Sequence, residues 1–83
     1  MMITISADQA PRDLLLSADP DWSRVQQSLE NATIYGYQLD DQIVGVLVLK
    51  QRKVGVKEIM AIAVAESYQH RGIAKTMLQL VIK

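Results

Sequence analysis

The spacing of apolar side chains predicts one strand and two helices in the first part of the chain. Residues 2–6 alternate apolar and hydroxyl side chains, as in a short strand. Pro11 and the leucines that follow it predict a brief helix that ends near Ser17. Asp19 is typical of a helix N-cap, and an apolar stripe at helical spacing after it predicts a second helix that stops near Asn31.

The pattern then changes to one that favours antiparallel strands. Residues 33–39 are rich in β-branched and aromatic side chains, and the polar residues 40–42 predict a turn. Residues 43–50 are apolar in both alternating sets, which predicts a central strand with layers packed over both of its faces. Residues 51–55 predict the next turn, and residues 56–65 predict another strand.

A polar loop follows, and a last helix is predicted to begin near Gly72. Its apolar positions, from Ile73 through Met77 to Ile82, form one continuous face. The predicted order is therefore β-α-α-β-β-β-α within a single domain, residues 1–83. This is an α/β (α+β) fold in which helices flank a mostly antiparallel sheet.

Composition and charge exclude several classes of function. The chain of 83 residues is 49% hydrophobic and 22% charged, as expected for a small folded domain. Nine basic and nine acidic residues cancel, so we expect no nucleic-acid partner. Without cysteine and with one histidine, no disulfide, cysteine nucleophile or metal site is expected. No signal peptide or long apolar stretch is evident, so we expect a cytoplasmic protein without a membrane partner.

The segment Gln69-His70-Arg71-Gly72-Ile73-Ala74 has the physical properties of an anion site. It joins a predicted buried strand to a helix N-terminus, where unpaired backbone N–H groups and the helix dipole attract negative charge. Gly72 lets a bulky anion approach the backbone. Local positive charge comes from His70, Arg71 and Lys75. The segment therefore predicts a pyrophosphate site; the alternative is a glycine that only begins a helix among solvated charges.

Residues 62–74, Ile-Ala-Val-Ala-Glu-Ser-Tyr-Gln-His-Arg-Gly-Ile-Ala, resemble the acetyl-CoA-binding motif of the GNAT superfamily of N-acetyltransferases. The core of that motif is Gln/Arg-x-x-Gly-x-Gly/Ala, preceded by an apolar strand. The resemblance implies a partial acyl-CoA N-acyltransferase fold. It also implies that acetyl-CoA is the cosubstrate and that a primary amine of a small molecule or peptide attacks it directly.

The resemblance also implies roles for individual residues. The backbone of Ile62, Ala63 and Val64 would pair with the pantetheine arm as an added strand would. Backbone amides of the loop would hold the pyrophosphate; with Gln69 of the motif, the residues concerned are His70, Arg71, Gly72, Ile73, Ala74 and Lys75. Either Arg71 or Lys75 would meet the ribose phosphate.

Glu58 matches the position of the general base in one branch of that superfamily. By strict alternation it would share a face with Met60, Ile62 and Val64, where apolar surroundings would raise its pKa. The alternative is that Glu58 is a solvated carboxylate at the end of a strand, beside Lys57.

The chain stops at Lys83 within an amphipathic helix and has no C-cap glycine, so we expect a fragment that lacks the C-terminal half of the fold. We expect little transferase activity from it alone, and a homodimer or strand-exchanged assembly through its open sheet edge. Two alternatives to an acetyltransferase stay open. One is a non-catalytic CoA-binding or regulatory module, and the other is a structural α/β interaction domain.

Overall fold

The computed structural model describes residues 1–81, and the predicted element order is confirmed. Ile82, which was expected to extend the apolar face of the last helix, lies outside the described residues. Two single-turn 3-10 helices, Ala7–Gln9 and Glu66–Tyr68, were not predicted. The main elements are β1 (Met2–Ile5), α1 (Arg12–Ala18), α2 (Trp22–Leu29), β2 (Thr33–Leu39), β3 (Gln42–Lys53), β4 (Val56–Val64) and α3 (Ile73–Val81).

The four strands form one antiparallel sheet in the order β1-β2-β3-β4. Strand β3 lies inside the sheet, and its residues 44–48 are buried, as its apolar pattern predicted. Helices α1 and α2 cover one face of the sheet, where Leu15, Val25 and Val46 are buried together. Helix α3 covers the other face, where Leu47 packs with Met77. Within residues 1–81, no helix is both long enough and apolar enough to cross a membrane.

The start of α2 differs from the prediction. Its N-cap is Asp21, whose Oδ1 accepts hydrogen bonds from the backbone N–H groups of Ser23 at 3.0 Å and Arg24 at 3.4 Å. Asp19, the predicted N-cap, instead accepts from the N–H of Asp21 at 3.0 Å. The prediction was wrong by two residues because both aspartates precede the apolar stripe and either could cap the helix.

The turn between β3 and β4 is shorter than predicted. Residues 51–53 belong to β3, so only Val54 and Gly55 connect the two strands. Gly55 has a φ of 78°, which a glycine adopts readily. The polar side chains of residues 51–53 suggested a turn, but they lie on a part of the strand that extends into solvent.

A β-bulge interrupts the pairing of β4 with β3. Val48 lies opposite Ala61, but the next residue of β3, Leu49, lies opposite Ile59. Met60 is therefore an extra residue in β4, and both Met60 and Ala61 pack towards α1 and α2. Because of this extra residue, the side chains of β4 that precede the bulge lie on the opposite face of the sheet from the one that strict alternation, counted back from Val64, would give.

Candidate functional site

Strand β4 has a neighbouring strand on one side only within the described residues. The N–H of Ala65, just after the strand, donates to the carbonyl oxygen of Val44 at 2.7 Å. Because the hydrogen-bonding groups of a strand alternate sides, those of Ala63 also face β3, whereas those of Ile62 and Val64 face outwards. The outward edge therefore offers the backbone of Ile62 and Val64 to an added chain. Ala63 does not offer its backbone there, in contrast to the expectation from the sequence.

A groove of about 350 Å³ follows this edge. Its walls come from the C-terminal end of α1, from β4 and from the start of α3. The residues that line it are Ser17, Ala18, Ile62, Ala63, Val64, Gln69 and Ala74. An extended ligand in this groove would lie alongside the outward backbone groups of β4.

A smaller cavity of about 120 Å³ adjoins the groove at the N-terminus of α3, and Val64, Gln69 and Ala74 line both. The first backbone bond of the helix runs from the N–H of Thr76 to the carbonyl oxygen of Gly72 at 2.9 Å. The N–H groups of Ile73, Ala74 and Lys75 precede that bond and need acceptors from outside the helix. Together with the helix dipole, these groups favour an anion at this point.

Two backbone conformations shape the loop that leads into α3. His70 and Gly72 both have left-handed φ values, 66° and 77° respectively. No heavy atom lies within 4 Å of the position that a Cβ on Gly72 would take, so this side of the loop is open. The two residues turn the chain sharply between β4 and the helix, and they leave the first helical N–H groups accessible.

Gln69 fastens this loop to the strand edge. Its side-chain Nε2 donates a hydrogen bond of 3.0 Å to the outward-facing carbonyl oxygen of Val64. Gln69 was expected only as a residue of the motif, and this contact was not predicted. No local pattern of the sequence indicates this contact, because it depends on a side-chain rotamer and on the course of the turn.

Tyr68 supports the loop from the side of the β2–β3 turn. Its hydroxyl accepts from Gln42 Nε2 at 3.1 Å and donates to Asp40 Oδ2 at 3.3 Å. The guanidinium of Arg71 lies over the Tyr68 ring, 5.1 Å from its centroid. Arg71 thus lies near the ring, and His70, Arg71 and Lys75 are all exposed.

Glu58 lies in a polar and exposed setting. It is opposite Lys50 in the ladder, and its Oε1 accepts a hydrogen bond of 2.8 Å from Arg52 Nε. This bond and the positive charges of Arg52 and Lys50 hold the pKa of the Glu58 carboxyl below its ordinary value of 4.5. The expected rise in pKa was wrong.

The bulge explains why strict alternation misplaced Glu58. Glu58 and Met60 lie on the face of α1 and α2, whereas Ile62 and Val64 pack on the face of α3. Glu58 therefore shares a face with Met60, as predicted, but not with Ile62 or Val64. Among residues 1–81, no group of three or more His, Cys, Asp or Glu side chains could hold a metal ion.

The model of the acetyltransferase (GNAT) family matches residues 3–83. The chain therefore belongs to the GNAT family of acetyltransferases. The uncharacterized N-acetyltransferase YvbK of Bacillus subtilis (strain 168) is 39% identical to it over 66 residues, which make up 80% of this chain and 43% of that protein.

Three solved structures of acetyltransferases are also similar to this chain. A GNAT family acetyltransferase from Elizabethkingia anophelis with acetyl-CoA bound is 35% identical with a TM-score of 0.92, over 99% of this chain and 54% of that one. The IAA acetyltransferase from Bacillus cereus ATCC 14579 is 32% identical with a TM-score of 0.90, over 96% and 53%. A Bacillus subtilis acetyltransferase in complex with CoA is 34% identical with a TM-score of 0.81, over 93% and 51%. The chain thus spans about half the length of these relatives.

Proposed function

We propose that this chain is the acetyl-CoA-binding part of an N-acetyltransferase that acts on a primary amine. The observation that carries the proposal is the groove along the outward edge of β4 together with the adjoining cavity at the N-terminus of α3, which shares Val64, Gln69 and Ala74 with it. Two similar structures hold acetyl-CoA and CoA respectively, which supports the same ligand class for this groove.

The end of the groove at α3 fits a pyrophosphate. The N–H groups of Ile73, Ala74 and Lys75 have no acceptor within the helix, and the left-handed Gly72 leaves space beside them. His70 and Lys75 line the cavity, and Lys75 adds positive charge without filling it. Backbone donors of this kind at a helix start bind phosphate groups in many folds.

The edge of β4 fits the pantetheine arm. An arm with amide groups could pair with the outward backbone groups of Ile62 and Val64, in the way that a peptide is added to a sheet edge. Gln69 already occupies one lone pair of the Val64 carbonyl oxygen and leaves the second for a ligand. The bound cosubstrate would supply an activated acetyl group for transfer to the amine, and the outward N–H groups of the edge would orient it.

Glu58 remains the proposed general base of the reaction. A base must accept a proton from the amine, directly or through a water. The hydrogen bond from Arg52 lowers the pKa of Glu58 and keeps the carboxylate charged at neutral pH, but it also weakens it as a base. Release of Arg52 would be needed before Glu58 could act efficiently.

The same ion pair favours a second candidate function, a non-catalytic CoA-binding module. In such a module the groove would bind CoA as proposed, and Glu58 would only pair with Arg52. The two candidates differ in what Glu58→Gln does to the full-length protein. The rate of acetyl transfer and its pH dependence should change if Glu58 is the base, and should be unaltered if it is not.

Calorimetry with acetyl-CoA tests the groove, with Gly72→Glu as the disruptive variant. A carboxylate at Gly72 would face the pyrophosphate, so affinity should fall by about a hundredfold or more, since juxtaposed like charges cost several kcal/mol. The matched control is Gly55→Glu, because Gly55 has the same left-handed φ and open surroundings but lies in the β3–β4 turn. Absence of binding by the unsubstituted protein, or an equal loss in both variants, would refute the proposal.

Two further expectations stay predictions. Little acetyl transfer is expected from these 83 residues alone, and a rate near that of full-length relatives on an amine panel would refute it. A homodimer or strand-exchanged assembly is expected through the outward edge of β4, where it would compete with acetyl-CoA for the backbone groups of Ile62 and Val64. Light scattering at high concentration tests the second, and a strictly monomeric mass would contradict it.

A further inference from the structure

A second concave site lies on the other side of β4 from α3, between α2 and the outer parts of β3 and β4. It has a volume of about 370 Å³. Leu15, Val25 and Met60 give it apolar walls, and it extends to Ala61. Ala61 is next to Ile62, where the cofactor groove runs, so this cleft adjoins the end of β4 at which the acetyl group would lie.

The rim of the cleft is rich in basic side chains, two of which are paired with carboxylates. Three of the nine basic residues line it, namely Arg24, Lys50 and Arg52. Asp19 is the one carboxylate among the described residues that line it. Two other clefts of the described chain have acidic linings instead; one contains Asp8 and Glu30, and the other contains Asp13 and Glu66.

The three cations are not equivalent. Arg24 is held in a two-pronged pair by Asp19, with Nε to Oδ2 at 3.0 Å and Nη2 to Oδ1 at 2.9 Å. Arg24 therefore has its charge matched and forms a fixed wall.

Lys50 and Arg52 keep donors that their described contacts do not use. Lys50 Nζ donates to the backbone carbonyl oxygen of Gln27 at 3.2 Å, which leaves two of its three N–H groups. Arg52 uses Nε for Glu58 and Nη2 for the sulfur of Met60 at 3.4 Å, and Nη1 makes neither of these contacts. Both side chains line the cleft from β3, so they can meet one anionic group there.

We propose that this cleft receives the acceptor, and that Lys50 and Arg52 bind a carboxylate on it, so that the acceptor is an amine that also carries an anionic group. The inference rests on the proposed function, because the cleft can serve as an acceptor site only if acetyl-CoA binds in the groove beside it. Lys50 pairs with Glu58 and Leu47 pairs with Ile62, so the bulge leaves three steps of β3 between the two positions, about 10 Å at ordinary strand rise. This separation favours an extended acceptor with several methylene groups between its carboxylate and its amine. In this pose Glu58 lies beside the carboxylate and not beside the amine, so the pose and the base role of Glu58 exclude each other, and the rate of Glu58→Gln distinguishes them.

The test compares two acceptors in the full-length protein at saturating acetyl-CoA: 6-aminohexanoate and its neutral counterpart 6-aminohexanamide. The ratio of kcat/KM should favour the carboxylate by about tenfold, the ratio expected for a charge-assisted contact. Lys50→Gln and Arg52→Gln should each bring that ratio towards one by raising the KM for 6-aminohexanoate. Lys53→Gln is the matched control, since Lys53 is an exposed lysine of the same strand outside the cleft, and the ratio should not change.

The results of these experiments distinguish the inference about the acceptor from the proposed function. Equal kcat/KM for the two acceptors, or a preference that both cleft variants retain, would overturn the inference and leave the proposed function intact. Failure to bind acetyl-CoA in calorimetry would instead overturn the proposed function. If acetyl-CoA binds but neither acceptor is acetylated, an NMR titration with 6-aminohexanoate decides the matter. Shifts of the Lys50 and Ala61 amides support the cleft, and their absence overturns it.

Discussion

The side-chain amide of Gln69 and the backbone carbonyl of Val64 are joined by a hydrogen bond of 3.0 Å across the mouth of the proposed cofactor groove. Val64 ends β4, and Gln69 begins the loop that leads into α3. The bond therefore sets the distance between the two surfaces that a CoA molecule would have to contact together.

Gln69→Ala should weaken acetyl-CoA binding without unfolding the protein. Loss of one exposed hydrogen bond that positions the loop should cost about 0.5–1.5 kcal/mol of binding free energy, or about two- to tenfold in Kd. Calorimetry measures the change. The control is Gln79→Ala on the exposed surface of α3, which should bind acetyl-CoA as the unsubstituted protein does. An unchanged Kd for Gln69→Ala would mean that the loop keeps its position without this bond.

The loop shows which structural features could be predicted from the sequence and which could not. The strand before residues 69–74, the glycine within them and the start of the helix were predictable, because each has its own local pattern in the sequence. The bond from Gln69 to Val64 was not, since it depends on a side-chain rotamer and on where the turn directs the chain. The supporting contact of Tyr68 with Asp40 joins residues 28 positions apart, and such pairs follow only from the folded sheet.

The ion pair between Arg52 and Glu58 should be visible in the titration of Glu58. Arg52 lowers the pKa of the carboxyl by a hydrogen bond and by its charge, so Arg52→Gln should return that pKa towards 4.5. An NMR titration of the Glu58 side chain measures it. Lys53→Gln, a charge removed from the same strand without this contact, is the control and should change the pKa little. The same pKa in Arg52→Gln and in the unsubstituted protein would contradict the pairing.

The same shift gives a direction for stability against pH. The pKa of Glu58 is lower in the folded state than in the unfolded state, so its contribution is complete above about pH 4.5 and is lost as the pH falls through the folded-state pKa. The difference in unfolding free energy between the unsubstituted protein and Arg52→Gln should therefore be present at pH 7 and should vanish towards pH 3. Urea unfolding at both values measures it, and a difference that persists at low pH would point to another cause.

The face of β4 on which Glu58 lies is the clearest failure of prediction from sequence. Alternation is reliable only where pairing is regular, and nothing in the apolar run from Ile59 to Val64 distinguishes Met60 as the extra residue. The bulge arises from how β4 fits β3 and the helices over it. Strand existence and order were predictable from the two-residue period, whereas the side to which a candidate base points was not.

Gly45→Ala should destabilise the fold by overpacking between β3 and α3. A Cβ at this position would lie 3.0 Å from the sulfur of the fully buried Met77 and 3.4 Å from Cβ of Tyr37. Methyl groups forced into a packed core cost about 1–3 kcal/mol. Urea unfolding measures the loss; Gln51→Ala on the exposed end of β3 should change the free energy by no more than about 0.5 kcal/mol. Unaltered stability of Gly45→Ala would mean that Met77 has room to move.

Asp41→Gly should stabilise the β2–β3 hairpin. Asp40 and Asp41 form its two-residue turn, with left-handed φ values of 53° and 61°. Turns of this kind prefer Asp-Gly because glycine adopts the second position without strain, although its greater freedom in the unfolded chain offsets part of the gain. The expected increase in unfolding free energy is about 0.5 kcal/mol, measured by urea unfolding. Asp13→Gly in the first turn of α1 is the control and should lower stability by about 0.5–1 kcal/mol, because glycine disfavours a helix. A loss of stability in Asp41→Gly would show that the Asp41 side chain contributes more to the turn than its strained backbone costs.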